Sequence, residues 1–360
     1  MRIALVAPPF IAVPPQKYGG TELFVGVLAN ALHARGHDVV VYANGDSRVD
    51  CKLKWRYRHA RWPIVDASMA PLENLDHTTW AIHDAARFAD VIHLNDPVGL
   101  PATIFVDQPV VLTLHHPHLP ELSKFYSAYP RVSYVAISAA QAARESMPRV
   151  GMVHHGIPID AYTFRDRKDD YVVFLGRMAP CKGADRAIEA ARRAGVRIKL
   201  AGEVQPTFRE YWESQVLPHV DGGDVEYVGE ADFARKNELL SRARACLFPI
   251  DWDEPFGLVM IESMACGTPV LALPGGSVPE VVRDGVSGWI CRDIDDMAAR
   301  IRTLNLTPAA CRSWAQREFS VERMTNGYSD LYQRVVEKPA REALAAHRRP
   351  LSAVDRLTAP

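Results

Sequence analysis

Apolar and polar positions along the chain fall into short unbroken apolar runs separated by amphipathic stretches. Residues 3–7 form one such run and predict a buried strand. From Thr21 the apolar residues Phe24, Val27, Leu28, Ala31 and Leu32 recur at helical spacing, Gly36 supplies the stop, and 39–42 predicts the next strand. A strand, loop, helix and strand in that order imply a parallel sheet with a right-handed crossover. The alternation continues with a helix at 73–88 and strands at 91–94, 110–114 and 134–137. A charged run at 166–170 reads as a linker, and after it the pattern restarts. Strands are predicted at 171–175, 196–201, 225–228, 245–248, 269–273 and 288–291, with helices at 183–194, 207–217, 233–244 and 295–304. No close sequence repeat relates the halves; the likeness is architectural.

Composition narrows the class. At 360 residues the chain has room for two domains. A net charge of -1 and a pI near 6.9 give no global field for nucleic acid. The six cysteines make no CxxC pair and no ligand-like spacing, as in a reducing compartment. The first apolar run ends at Pro8-Pro9, which argues for a strand and against a signal peptide, and no apolar run approaches membrane-spanning length. The expectation is a soluble, cytoplasmic enzyme. The same Pro8-Pro9 stands where an oxidoreductase would carry a G-x-G-x-x-G turn. Between 52 and 62, Lys52, Lys54, Arg56 and Arg58 alternate with Leu53, Trp55 and Tyr57 at strand spacing. That pattern suits a charged edge strand, or a weak peripheral contact with lipid headgroups or an anionic acceptor.

The densest chemistry lies at 251–270, DWDEPFGLVMIESMACGTPV. It follows the 245–248 strand and opens a helix at Phe256-Gly257-Leu258-Val259, whose free N–H groups favour a phosphate or sugar oxygens. Glu254 and Glu262 stand eight positions apart, too far along a helix to share a proton and well placed to grip two parts of one elongated ligand. At the carboxyl end of the 91–94 strand stand His93, Asn95 and Asp96, and after 110–114 come His115 and His116; open parallel sheets bind ligands at such ends. Ser277 with Glu280 fits a capping box.

Glu254-Pro255-Phe256-Gly257 with Glu262 and then Cys266-Gly267-Thr268-Pro269-Val270 resembles the Glu-x7-Glu signature of family 4 retaining nucleotide-sugar glycosyltransferases. The resemblance continues in order at Tyr18-Gly19-Gly20-Thr21-Glu22, at Leu175-Gly176-Arg177 with Lys182-Gly183, and at Gly275-Gly276-Ser277-Val278-Pro279-Glu280. It implies an α/β protein of two Rossmann-like domains facing across a cleft, the GT-B fold. Residues 1–166 would be the acceptor-binding domain and 167–320 the nucleotide-sugar domain, with 321–338 a helix returning to the first domain and 339–360 a tail.

By the same resemblance, Arg177 and Lys182 stabilise the departing diphosphate, Glu254 holds sugar hydroxyls and His115 lies beside the transferred sugar. Gly19, Gly20, Gly176, Phe256, Gly257, Leu258, Val259 and Glu262 bind the donor, Glu262 through the ribose diol. His93, Asn95, Asp96 and His116 are candidates for the acceptor side. His155 stands where many relatives have Asn and receives no role, and Cys181 stands where relatives often carry an acid. The implied reaction moves a hexose from a nucleotide-diphosphate sugar, UDP-glucose before GDP-mannose, to a hydroxyl acceptor by front-face attack. No cofactor and no metal are expected, because Arg177, Lys182 and the helix start supply positive charge; Asp251-x-Asp253 is the competing Mg²⁺ or Mn²⁺ reading. A nucleotide-sugar epimerase, a sugar phosphorylase and a non-catalytic sugar-nucleotide-binding partner share this architecture and stay open.

Overall fold

The computed structural model describes residues 1–17, 19–64 and 67–347, with side chains described as far as residue 337. Tyr18 of the glycine loop and residues 348–360 of the expected tail lie outside the described residues. Two parallel sheets account for the apolar runs. The first contains β1 (Arg2–Val6), β2 (Asp38–Ala43), β3 (Lys52–Trp55), β4 (Val91–Leu94), β5 (Val110–Thr113), β6 (Ser133–Ala136) and β7 (Val150–Met152), in the order β3-β2-β1-β4-β5-β6-β7. The second contains β8 (Tyr171–Leu175), β9 (Arg197–Ala201), β10 (Val225–Tyr227), β11 (Cys246–Phe248), β12 (Val270–Ala272) and β13 (Gly288–Ile290), in the order β10-β9-β8-β11-β12-β13. In register, Ile3 lies beside Val39 on one side and Val91 on the other.

These strands read as continuous apolar runs because helices cover both faces of each sheet. Ile3 and Leu5 pack with Phe24 and Leu28 of the Gly20–Ala34 helix, whereas Ala4 and Val6 pack with Ala81 and Ile82 of the Ala70–Ala85 helix. In each sheet the strand order reverses direction once, between β1 and β4 and between β8 and β11, and a ligand crevice opens at such points.

Several local expectations change. The helix expected at 207–217 is a broken run of short turns, Pro206–Phe208, Arg209–Tyr211, Trp212–Val216 and Leu217–His219. Pro206 and Pro218 bracket it, each lacking an N–H for a continuous ladder, and the Trp212 ring is held 4.4 Å from that of Tyr227. The last helix continues past the expected 338 boundary to span Val321–His347. Met324, Tyr328, Leu331 and Tyr332 join the core formed by β1 and the Gly20–Ala34 helix, which packs this last helix against the first domain.

The 166–170 run is docked on the second domain. Lys168 Nζ donates to the carbonyls of Ser241 and Cys266 and to Thr268 Oγ1, and burial lowers it to about 8. Past β3 the basic segment leaves the sheet. Lys54 pairs with Asp84, Arg56 with Asp76 at 2.9 Å and Arg61 with Glu73, all acids of the Ala70–Ala85 helix. Of the four basic residues in the alternation, Lys54 and Arg56 are thus neutralised by the neighbouring helix. Among the described residues no helix is long and apolar enough to cross a membrane.

Candidate functional site

A cavity of about 480 Å³ lies between the domains, at the carboxyl edges of both sheets. Arg177, Lys182, Glu254 and His115 all line it, as do Gly19, Gly20, Gly176, Phe256, Gly257, Leu258, Val259 and Glu262. Of the four acceptor-side candidates only His116 does.

The second-domain wall is built by the chain leaving β11. A loop carries Trp252 and Glu254 past the sheet edge, and Gly257 turns it into the Leu258–Ala265 helix through a left-handed conformation, φ +78°. A Cβ at 257 would sit 2.6 Å from the Met260 methyl, so the turn requires glycine. Phe256 is buried against His155 and Phe319, so it offers the cavity backbone rather than ring. The helix start points its free N–H groups and positive dipole end at the cleft. Directly opposite, the Gly20–Ala34 helix begins, and Leu258 Cδ1 lies 3.4 Å from where a Cβ on Gly20 would be. Two helix starts thus face one space, a strong anion setting.

The two acids are anchored alike. Glu254 accepts through Oε2 from Lys182 Nζ at 2.5 Å and Trp252 Nε1 at 3.0 Å, and Lys182 Nζ lies 4.4 Å above the Trp252 ring. Glu262 accepts through Oε1 from Tyr162 Oη at 3.0 Å and from Lys236. Burial and the nearby carboxylate raise the Tyr162 phenol, fixing it as a donor. In each acid these contacts occupy one oxygen and leave the other out of them. Arg177 reaches Gln205 Oε1 at 3.4 Å.

On the first-domain wall, Asn95 gives its amide N–H to the Val6 carbonyl at 3.0 Å, so its Oδ1 is an acceptor and His115 Nε2, 3.0 Å away, is the donor. His115 Nδ1 is then a lone pair, and burial holds the ring well below its ordinary value, neutral at pH 7. Asn95 is thus a support for His115 behind the cavity wall. His155 stacks on His115 with centroids 5.4 Å apart, and its Nδ1 has no partner among the described residues. Burial lowers it to about 3. His116 has both ring nitrogens engaged, by the Pro117 carbonyl and by Tyr126 Oη.

Two acceptor candidates are relocated. Asp96 caps the Pro97–Phe105 helical turn, accepting from Val98 N at 2.8 Å. His93 is fully buried, bonded to Tyr332 Oη at 2.6 Å and Thr113 Oγ1 at 2.7 Å, while Tyr328 Oη holds Thr113 at 2.9 Å. Strand residues alternate faces, and His93 points to the face covered by the last helix. Sequence reading left out Glu22, His155, Tyr162, Lys236 and Trp252. Of these, Glu22 sat inside a quoted motif, His155 was named without a role and Trp252 sat in the 251–270 stretch, whereas Tyr162 and Lys236 had no local signal.

Several contacts bridge the cleft. Glu280 accepts from the backbone N–H groups of Ala139 and Ala140, each at 2.7 Å, and pairs with His154 at 3.0 Å. The capping box expected with Ser277 does not form: Ser277 Oγ donates to the Phe256 carbonyl at 2.8 Å, and Glu280 serves the other domain's helix start. Lys17 pairs with Glu230 at 3.0 Å, and Arg144 with Asp253, which occupies one acid of the Asp251-x-Asp253 pair.

Comparison with known proteins places the halves. A model of Glycosyltransferase Family 4 matches residues 18–141, and one of Glycosyl transferases group 1 matches 159–319. The chain is 27% identical to the glycogen synthase of Mycobacterium tuberculosis over 97% of its own length and 95% of that protein's. It is 29% identical to the D-inositol 3-phosphate glycosyltransferase of Mycobacterium avium, over 87% of the chain and 74% of the relative. Among solved structures, AviGT4, a glycosyltransferase involved in avilamycin A biosynthesis, is 25% identical with a TM-score of 0.69, covering 94% of this chain and 98% of AviGT4. One family model covers each wall of the cleft, and the folds agree throughout: the chain belongs to glycosyltransferase family 4 and is a glycosyltransferase of the two-domain GT-B fold.

Proposed function

We propose that the enzyme moves a hexose from a nucleotide-diphosphate sugar to a hydroxyl acceptor with retention at the anomeric carbon and without a metal, UDP-glucose being the first donor to test and GDP-mannose the second. The observation that carries this reading is the meeting of a basic pair, two half-occupied acids and two helix starts around one cavity. The diphosphate sits between Arg177, Lys182 and the N–H groups at Leu258 and Val259, with Gly20 allowing close approach of the opposite backbone. The free oxygen of Glu254 takes sugar hydroxyls, and that of Glu262 takes the ribose diol. The likeness to a glycogen synthase favours a glucosyl donor.

As the anomeric C–O bond breaks, negative charge grows on the departing phosphate, and fixed cations and N–H dipoles stabilise that charge. The same phosphate oxygen takes the proton of the attacking hydroxyl, so attack and departure share one face of the sugar. His115, neutral and locked by Asn95, presents an acceptor lone pair to a sugar hydroxyl.

A thermal-shift screen of UDP, GDP, ADP and TDP sugars tests the reading. A donor at about a hundred times its Kd adds about 2.7 kcal/mol of stability. At least one sugar nucleotide is expected to raise Tm above its bare sugar and phosphate; no shift with any of them contradicts donor binding. An inverted anomeric configuration in the product contradicts the front-face step.

A further inference from the structure

Glu22 lies in the first turn of the Gly20–Ala34 helix, on the first-domain wall of the cavity, and is only 7% exposed. Its Oε2 lies 2.9 Å from where a Cβ on Gly19 would be, so the glycine makes room for the carboxyl to fold over the loop. Ionised carboxylates are buried beside cations, because a lone buried charge is disfavoured. Glu22 has no such partner: no Lys or Arg of the described residues forms an ion pair with it. Lys17, the one Lys lining this wall among the described residues, pairs with Glu230 of the opposite domain at 3.0 Å, and no Arg of the first domain lines the wall. Burial pushes Glu22 up to about 7, and the nearby acid Asp96 adds to the rise. His115 is neutral and offers no positive charge. Among the described residues, this wall therefore places beside Glu22 no Lys or Arg that is not already paired.

We propose that Glu22 is an acceptor-recognition residue and that the acceptor presents uncharged hydroxyls of a sugar or polyol to it, with phosphorylated acceptors excluded. A carboxyl suits hydroxyls in either protonation state, accepting from them when ionised and donating when protonated. Two oxygens on one planar group match a vicinal diol. A phosphate at the same place meets a like charge at close range, which the partial charge of the helix start offsets only in part. The Mycobacterium avium relative is named for a phosphorylated inositol, and the selectivity assigned to this chain is the opposite. The inference rests on the transferase reading, and names the acceptor class of the same site.

The test uses the full chain with the sugar nucleotide that stabilises it most, so that a failed donor screen is seen before any acceptor is added. Matched acceptors are compared: glucose with glucose 6-phosphate, myo-inositol with inositol 1-phosphate, and glycerol with glycerol 3-phosphate. Nucleotide release and product mass are read at pH about 8.5, where a carboxyl of this kind is ionised. The expected result is kcat/KM at least tenfold higher for the neutral member of each productive pair. In Glu22→Gln that ratio falls at least threefold, while the KM for donor stays within twofold of wild type. Where no pair turns over, the nucleotide-loaded protein is titrated with both members of each pair by calorimetry, and a neutral member is expected to bind. Preference for any phosphorylated member, failure of every neutral member to react or bind, or an unchanged ratio in a folded Glu22→Gln protein overturns the proposal.

Discussion

Lys182→Met separates the structural and catalytic duties of one ammonium. In the unliganded protein Lys182 neutralises Glu254 at 2.5 Å, and the two side chains are only 13% and 8% exposed, so solvent screens the pair little. Removing one partner leaves a buried carboxylate held only by the Trp252 N–H, and the loss expected for breaking such a pair is about 3 kcal/mol. Adding Glu254→Gln removes the orphaned charge and returns most of that loss, about 2 kcal/mol, because a neutral amide is far easier to bury. Catalysis follows a different rule, since the charge on the leaving phosphate has lost a fixed donor. A fall in kcat of about 10²–10³ is expected for the single variant, with no recovery in the double. Urea unfolding followed by circular dichroism and nucleotide release from the donor supply the two readouts. Wild-type stability in Lys182→Met, or turnover restored in the double variant, refutes the assignment of Lys182 to both Glu254 and the phosphate.

Glu262→Gln keeps the shape of the ribose-side acid and loses its charge, so donor KM rises about tenfold to a hundredfold with kcat little changed, as expected for loss of roughly 1.5–3 kcal/mol of charge-assisted hydrogen bonding. Glu280→Ala deletes the contacts to Ala139, Ala140 and His154 that bridge the domains; small-angle scattering is expected to show a larger radius of gyration, and kcat/KM falls about tenfold. Burial lowers His77 to about 4, His93 and His155 to about 3, and His115 well below its ordinary value, so four histidines must take up protons on unfolding below about pH 6. Glu22, raised to about 7, releases a proton and offsets part of this uptake, so stability falls with falling pH between about pH 6 and 5. Urea midpoints that stay flat across that window contradict the buried, neutral histidines. Turnover is expected to persist in excess chelator, and complete loss restored by Mn²⁺ contradicts the metal-free reading.

The parallel sheets were legible because their strands are buried on both faces and so appear as unbroken apolar runs bounded by Gly, Pro or charge. The second-domain wall of the cleft was legible because Glu254, Gly257 and Glu262 lie within one loop and helix start, where local spacing fixes their geometry. His93 was misread for a related reason: a strand end points toward the cleft as a whole, yet side chains there alternate faces, and the partner that buries it, Tyr332, lies 239 residues away. Glu280 looked like a local cap, and a partner in the other domain claimed its carboxylate instead. Tyr162 and Lys236 meet Glu262 through tertiary packing alone, which no spacing in the sequence announces. The 52–62 alternation overstated free positive charge because its acids, Asp76 and Asp84, sit on a separate helix.

A crystal structure of the protein soaked with UDP tests the central claim most directly. The account predicts the diphosphate between Arg177, Lys182 and the start of the Leu258–Ala265 helix, with Gly20 facing it and Glu262 on the ribose hydroxyls. Nucleotide bound away from this cleft, or within it with the ribose remote from Glu262, contradicts the account.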